Sequence, residues 1–187
     1  QFVTAASTFT PGSASYNNVT AALNSGFTLT VSGTATILGN LTLNTSTTQA
    51  IGAGTLRVFG NVDAAGSAGT SGSGIIEIAG SGAQTLSSTG GGAFPSITVN
   101  KSGGVLTMST SISLSSAASW TWTAGELSMG TTTLTLGSTS SISFTPGTVR
   151  YYNLTLNSRS GSTITMTGTA TVTNNLSIPM TSGANLN

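Results

Sequence analysis

Few residues of this chain could carry out chemistry. Its side-chain carboxylates are Asp63, Glu77 and Glu126, and it has neither histidine nor cysteine. Because nucleophilic triads and most proton relays use histidine, and zinc sites use histidine or cysteine, such sites are excluded. Asp63 and Glu77 could lie on adjacent coils beside Arg57, as in a degenerate polysaccharide lyase, but isolated surface acids are the simpler interpretation. We therefore predict no enzymatic activity, no cofactor and no metal site.

Aromatic residues offer a possible contact for a sugar. Trp120 and Trp122, in the stretch SWTWT, share one face of a strand, and Tyr152 is a further candidate for a glycan contact. Outward-facing rings would form a platform for a sugar ring, whereas inward-facing rings would fill the core. Ile112 and Leu114 are in phase with the two tryptophans, which favours the core interpretation.

Asparagine is the other residue type with a possible modification. Several Asn-x-Ser/Thr triplets occur, and such triplets accept glycans in hosts that modify secreted asparagine. A chain so rich in Asn, Ser and Thr contains them readily by chance. The candidate glycosylation sites are Asn18, Asn40, Asn44, Asn153 and Asn175.

Charge is nearly absent from the chain. Only 4% of its 187 residues are charged and the net charge is +1, against a usual ~25% charged residues. Nucleic-acid binding needs a basic surface, so it is excluded, as is a polybasic contact with lipid. No apolar run approaches the ~20 residues of a membrane span. The first residue is Gln1 rather than Met, which fits either an expressed fragment or removal of a signal peptide, and we expect an extracellular or cell-surface protein after signal-peptide removal.

Short segments that alternate polar and apolar residues run along the whole chain. LTLN, ITVN, ISLS and LTLG are examples, and glycine, asparagine, serine and proline separate them. This period of two predicts half-buried β-strands, and no stretch has the helical period. The Thr-x-Thr pairs also raise an ice-binding β-helix as a minor alternative. However, Arg57 and Glu77 interrupt that pattern, and threonine is common on any wet sheet face.

An internal repeat organises the chain. Phe9 to Leu43 aligns without a gap to Phe144 to Ile178, and about half of the paired positions are identical. A weaker copy covers Phe94 to Met108. The aromatic anchors of the three copies are Tyr16, Phe94 and Tyr151. The intervals between these anchors are close to multiples of ~19 residues, the size of one solenoid coil.

These patterns predict an all-β fold in which residues 1–187 form a single parallel β-helix, or β-solenoid. We expect about nine rungs with ~19-residue coils, so that the interval between Phe9 and Phe144 corresponds to about seven coils. Stacked asparagines are expected at the bends, as Asn18, Asn100 and Asn153 or as Asn40 and Asn175. Two β-sandwich domains are the alternative, which explains the strands but not the repeat.

The order YYN, LTLN, a Ser-Gly turn, TITM and GTATVTNNLSI resembles the repeats of bacterial secreted and cell-surface proteins. The resemblance covers most of the chain and is similar in style to filamentous-haemagglutinin-like adhesins. It implies a secreted or cell-surface β-solenoid, and it carries no catalytic residues and no particular ligand.

The ends of such a rod suggest a function. A β-solenoid has open strand edges at both ends, which soluble proteins usually protect with charges or a cap. Residues 1–15 and 179–187 are uncharged, so we expect head-to-tail self-association into an extracellular filament, through the open solenoid edges or by addition of a terminal strand. An adhesin stalk or glycan-binding module, with glycans or cell surfaces as partners, is the alternative. The candidate contact residues are Gln1, Phe2, Val3, Phe9, Pro179, Met180 and Leu186.

Overall fold

The structure, a computed structural model, describes residues 7–22, 28–44, 49–67 and 70–187. In these residues every regular element is a β-strand, and no helix is long and apolar enough to cross a bilayer. The strands are β1 (Ser7–Phe9), β2 (Ser15–Tyr16), β3 (Val19–Ala21), β4 (Thr28–Val31), β5 (Thr34–Ile37), β6 (Leu41–Leu43), β7 (Gln49–Ile51), β8 (Thr55–Val58), β9 (Val62–Ala64), β10 (Thr70–Ser71), β11 (Ile75–Gly80), β12 (Gln84–Ser87), β13 (Ser96–Met108), β14 (Ile112–Leu114), β15 (Trp120–Ser128), β16 (Thr133–Ser138), β17 (Ile142–Thr145), β18 (Arg150–Ser158), β19 (Thr163–Met166), β20 (Thr171–Ser177) and β21 (Asn185–Leu186).

The strands wind into a parallel β-solenoid of about eight turns with three faces, which confirms the predicted fold. Face 1 contains β2, β5, β8, β11, the first halves of β13 and β15, β17, β19 and β21. Face 2 contains β3, β6, β9, β12 and the second halves of β13 and β15, and the first residues of β18 and β20 continue it. Face 3 contains β1, β4, β7 and β10, followed by β14, β16 and the rest of β18 and β20, with a bridge between Phe94 and Leu114 at the join.

The coils are longer than the ~19 residues that the sequence predicts. Hydrogen bonds between neighbouring turns join residues whose numbers differ by 21, as for Asn40 and Asn61, or by 24, as for Ser119 and Ser143. The prediction was too short because the three aromatic anchors lie on different faces. Tyr16 is on face 1 and Phe94 on face 3, while Tyr151 begins β18 in the position of face 2. The intervals between the anchors are therefore not whole numbers of coils.

The core is a continuous apolar column inside the three faces. In β4, β5 and β6 the buried positions alternate with more exposed ones, as the period of two predicts. Leucine, isoleucine and valine fill most buried positions, and each stacks on a residue of the neighbouring turn. Apolar burial of this kind contributes about 25 cal/mol per Å² and is the main stabilising contribution that the sequence provides.

The two copies of the repeat build the same corner. In each, the Tyr hydroxyl donates to the carbonyl of a preceding proline, from Tyr16 to Pro11 at 3.3 Å and from Tyr151 to Pro146 at 2.8 Å. The glycine after each proline has a positive φ, +59° in the first copy and +67° in the second, which glycine adopts without strain. The motif Phe-Thr-Pro-Gly-x-x-x-Tyr is thus a defined corner structure.

The two copies of that corner lie at different corners of the solenoid. Phe9 ends β1 on face 3, whereas Phe144 lies in β17 on face 1. Six turns on from β1 lies β16, and β17 is one face further along the chain. The interval between the two copies is therefore six turns and one face, rather than the seven coils predicted. The same sequence segment therefore forms the same corner structure at two different corners of the solenoid.

Candidate assembly interface

The last turn of the solenoid exposes large apolar side chains whose equivalents in the first copy of the repeat are buried in the core. We call residues 166–187 the C-terminal rung. Leu176 and Ile178 are 51% and 40% exposed, whereas their repeat counterparts Leu41 and Leu43 are 0% and 1% exposed. The counterparts are covered by the next turn, through pairing of β6 with β9. The C-terminal rung therefore corresponds in sequence to a covered layer, and no described residue covers it.

The first turn shows the same relation at the opposite end. We call residues 7–21 the N-terminal rung. Phe9, Tyr16 and Val19 are half-buried there. Their counterparts in the second copy of the repeat pack against the turn that precedes them and are fully buried. These counterparts are Phe144, Tyr151 and Leu154. The N-terminal rung thus corresponds in sequence to a layer that packs against a preceding turn elsewhere in the same chain.

In the part of the chain that the structure describes, the outermost strands at both ends carry no charged side chain. Among the described residues, β20 and β21 pair only with the preceding turn, and β1, β2 and β3 only with the following one. In sequence, all charged residues lie between Arg57 and Arg159. Charge is a common device that prevents edge-to-edge pairing, and neither rung contains any. The described edge strands at both ends therefore carry no charged side chain that would oppose the pairing of a further strand.

The predicted contact residues fall partly on these rungs. Gln1, Phe2 and Val3 lie outside the described residues. Phe9 lies on the N-terminal rung, and on the C-terminal rung Pro179 and Met180 are exposed and Leu186 is half-buried. Sequence reasoning missed Leu176 and Ile178, two exposed large hydrophobic residues of that rung. The repeat alignment with the buried Leu41 and Leu43 would have identified them.

The two tryptophans lie in the core, as the core interpretation predicts. Trp120 and Trp122 are 0% and 4% exposed and stack with their ring centroids 6.2 Å apart. Trp120 Nε1 donates to the Tyr151 hydroxyl at 3.1 Å, and burial raises the pKa of that hydroxyl. The rings therefore do not form a surface platform for a sugar. Tyr152, the third candidate glycan contact, is half-buried.

Asparagine side chains form a ladder at the corner between faces 1 and 2. The Oδ1 atoms of Asn18, Asn40 and Asn61 each accept a backbone N–H from the next turn at 2.8 Å. In the second copy of the repeat, Asn153 Oδ1 accepts from Asn174 Nδ2. The ladder joins Asn18 to Asn40 rather than to Asn100, because Asn40 lies on the next turn and Asn100 lies several turns further on. Glycosylation of Asn18, Asn40, Asn44, Asn153 and Asn175 remains a prediction.

The acidic residues do not form a paired site. Asp63 lies on face 2, where its carboxylate accepts from Ser87 Oγ at 2.7 Å and from Thr89 Oγ1 at 2.6 Å. Glu77 lies on face 1 and accepts from Arg57 Nε at 2.8 Å. In the described residues, no three His, Cys, Asp or Glu side chains are grouped to hold a metal ion. The Arg57–Glu77 pair also interrupts the row of outward-facing threonines on face 1, as the sequence predicts.

Lys101 is a buried cation that sequence reasoning did not find. It is 2% exposed, because β13 continues through the corner between faces 1 and 2 and carries Lys101 into it. Its Nζ donates to the Gly82 carbonyl at 2.8 Å and to Gln84 Oε1. Gln84 Nε2 in turn donates to the Gly60 carbonyl at 2.6 Å. The network ties three successive turns together, and burial lowers the pKa of Lys101.

Stability is expected to depend on pH through Lys101. Because its pKa is lowered from 10.5 in the folded state, the unfolded chain binds the proton more tightly. The free energy of unfolding should therefore rise with pH between the lowered pKa and 10.5, with the full cost of burying the ammonium present below that window. Urea denaturation from about pH 7 to about pH 9.5, below the range in which Tyr151 with its raised pKa gives the opposite slope, should show this rise, and Lys101→Met should flatten it. All other titrating groups are common to both proteins, so equal slopes would contradict the assignment.

Comparisons of the chain with known protein families, with curated protein sequences and with solved structures find no match. The functional conclusion therefore depends on the geometry of the chain itself.

Proposed function

We propose that this protein is the structural subunit of an extracellular filament, in which copies stack head to tail along the solenoid axis. One observation carries the proposal. Through the internal repeat, apolar residues at each end of the solenoid correspond to residues that a neighbouring turn covers elsewhere in the same chain. The N-terminal rung of one copy supplies the cover that the C-terminal rung of the next copy requires.

The contact would be made by backbone pairing and apolar stacking. Parallel strands of one copy would extend the three faces of its neighbour, as an added strand extends a sheet edge. The two surfaces differ, so the contact is heterologous and does not close on itself. Repetition of such a contact produces a filament rather than a ring when the rotation does not close. The scarcity of ion pairs means that assembly should change little with salt.

Placement outside the cell rests on composition and on the resemblance of the repeats to those of bacterial surface proteins. Surfaces rich in threonine, serine and glycine, with 4% charged residues, are typical of secreted structural proteins. Immunogold labelling of intact cells that produce the protein is expected to mark filaments at the surface. Label confined to the cell interior would contradict this part of the proposal.

Assembly itself is tested on the purified chain. Sedimentation velocity across a range of concentrations should show growth from monomers to long polymers above a critical concentration. Electron microscopy should show filaments one solenoid wide, with an axial repeat of about 40 Å, since each copy contributes eight or nine strand layers at ~4.8 Å each. A chain that stays monomeric at every concentration would exclude the filament and leave the glycan-binding surface module as the remaining proposal.

A further inference from the structure

We infer that a groove at the corner between faces 3 and 1 binds an acidic polysaccharide, in which Arg159 recognises a sugar carboxylate. The inference goes beyond the proposed filament and does not depend on it, because every residue concerned belongs to one copy of the chain. Binding takes place on the side of the rod, so a single subunit and a filament would both have this affinity.

Two adjoining cavities form the groove. Their volumes are about 630 Å³ and about 310 Å³, within the ~300–1,000 Å³ that is typical of ligand sites. Both cavities are open to solvent, and both are lined by Thr139, Asn157 and Arg159. The groove is therefore large enough for sugar units and accessible from the side of the rod.

The groove runs along the axis of the solenoid. It begins at Leu114 in β14, passes Gly137 in β16 and Asn157 in β18, and reaches Thr181 on the following turn. These residues lie on four consecutive turns, so the groove is about 15 Å long at ~4.8 Å per turn. This shape suits an extended chain of sugars better than an isolated small molecule.

Gly137 keeps the groove open. It pairs with Asn157 of the next turn, and a Cβ atom placed on Gly137 would meet no atom within 4 Å. A larger side chain at this position would therefore project into the groove beside the Asn157 amide without a clash in the fold.

The backbone of Arg159 is held in place by buried serines. Its N–H donates to the Ser138 carbonyl of the preceding turn at 3.1 Å and to Ser162 Oγ at 3.0 Å. Ser162 is fully buried, and its N–H donates to the Arg159 carbonyl at 2.9 Å, which closes a turn. Gly161 in that turn has a φ of +77°, which glycine adopts without strain. Because this corner is already ordered, binding costs little backbone entropy.

Arg159 has no acidic partner. Its side chain is exposed, and among the described residues its guanidinium makes no ion pair or hydrogen bond. Arg57, by contrast, pairs with Glu77. The groove beside Arg150 also contains Glu126, whose like charge would repel an anion. The Arg159 groove has no acidic residue in its lining and therefore attracts anions.

The internal repeat does not carry the two side chains that would contact the ligand most directly. By sequence, Asn157 and Arg159 correspond to Ala22 and Asn24 of the first copy, whereas Phe-Thr-Pro-Gly is identical in both copies. Asn157 and Arg159 are therefore not part of the pattern that the two copies share.

The chemistry of the lining favours a uronic acid. A guanidinium binds a carboxylate through two parallel hydrogen bonds. The hydroxyls of Thr139 and Thr181 and the amide of Asn157 both donate and accept, as the hydroxyls of a sugar require. One cation balances one carboxylate, whereas a phosphate monoester carries nearly two negative charges and would remain partly uncompensated.

Calorimetric titration with uronic-acid oligosaccharides tests the site. The parent chain is expected to bind oligogalacturonate or oligomannuronate, and to lose this binding when the carboxylates are methyl-esterified. Arg159→Ala should lower the affinity about tenfold or more, because the bidentate charge-assisted contact is removed. Arg150→Ala removes the same charge from another exposed arginine and should leave the affinity within about twofold, since distant exposed charges are screened.

Gly137→Leu tests the groove without changing any charge. The leucine should fill the space beside Asn157 and lower the affinity about tenfold or more, while the urea midpoint of the monomer stays at or above that of the parent. Unchanged binding by this variant would show that the ligand does not occupy the groove.

The remaining outcomes overturn the assignment. Absence of binding to both oligosaccharides, or equal binding of the methyl ester, would exclude recognition of a uronate. Poly-glutamate bound as tightly would indicate an acidic peptide, and inorganic phosphate bound as tightly would indicate a simple anion site. Equal losses in Arg159→Ala and Arg150→Ala would indicate a general effect of charge. Titrations below the critical concentration, with microscopy of the same variants at higher concentration, report binding and filament formation separately.

Discussion

Replacement of Leu176 by aspartate is expected to raise the critical concentration for assembly by at least about 100-fold, without unfolding the monomer. Full burial of a leucine stabilises by about 1.5–3 kcal/mol, and about half of this remains to be gained at Leu176 because the residue is 51% exposed. A carboxylate buried without a partner costs several kcal/mol more. Since each 1.4 kcal/mol is tenfold, the sum exceeds a factor of about 100.

Leu38→Asp provides the matched control for Leu176→Asp. Leu38 is 57% exposed, and it lies on the side of the rod, at the corner after β5. The two substitutions change charge and hydrophobicity identically and differ only in position. Sedimentation should show monomers for Leu176→Asp at concentrations where Leu38→Asp and the parent chain form polymers. Equal effects of the two changes would mean that general solubility, and not the C-terminal rung, controls association.

The fold was largely predictable because every level of the sequence indicates the same structure. The alternation of polar and apolar residues predicts strands, and the internal repeat predicts that successive coils stack. The absence of helical periodicity excludes layers of helices. The coil length was less accessible, since it was measured from aromatic residues that lie on three different faces. A repeated aromatic residue identifies the same local corner structure, but it does not show that its copies lie on the same face of the solenoid.

The candidate site was predictable in location but not in its residues. Uncharged termini point to the ends of the rod, yet the exposed Leu176 and Ile178 are recognised only when the buried state of Leu41 and Leu43 is known. Lys101 shows the converse limit. Its neighbours Ser102 to Gly104 suggest a polar surface turn, whereas β13 passes straight through that corner and buries the lysine.

The internal repeat also supplies a pair of substitutions that separates folding from assembly. Phe144→Ala should cost about 3–5 kcal/mol of monomer stability, as for a large aromatic residue removed from a core, because Phe144 is 0% exposed. Phe9→Ala, at the equivalent position of the half-buried N-terminal rung, should cost about 1 kcal/mol. Urea denaturation of the two monomers measures this difference.

The order of the two effects should reverse in assembly. In the proposed filament a second copy supplies the layer that covers Phe9, so Phe9→Ala should raise the critical concentration about tenfold or more. Phe144 is already covered within its own chain, so the folded fraction of Phe144→Ala should assemble within about threefold of the parent. Equivalent positions of one repeat are expected to have opposite consequences only if one of them lies at the filament contact. Parallel changes in stability and assembly for both variants would mean that the N-terminal rung is not a contact surface.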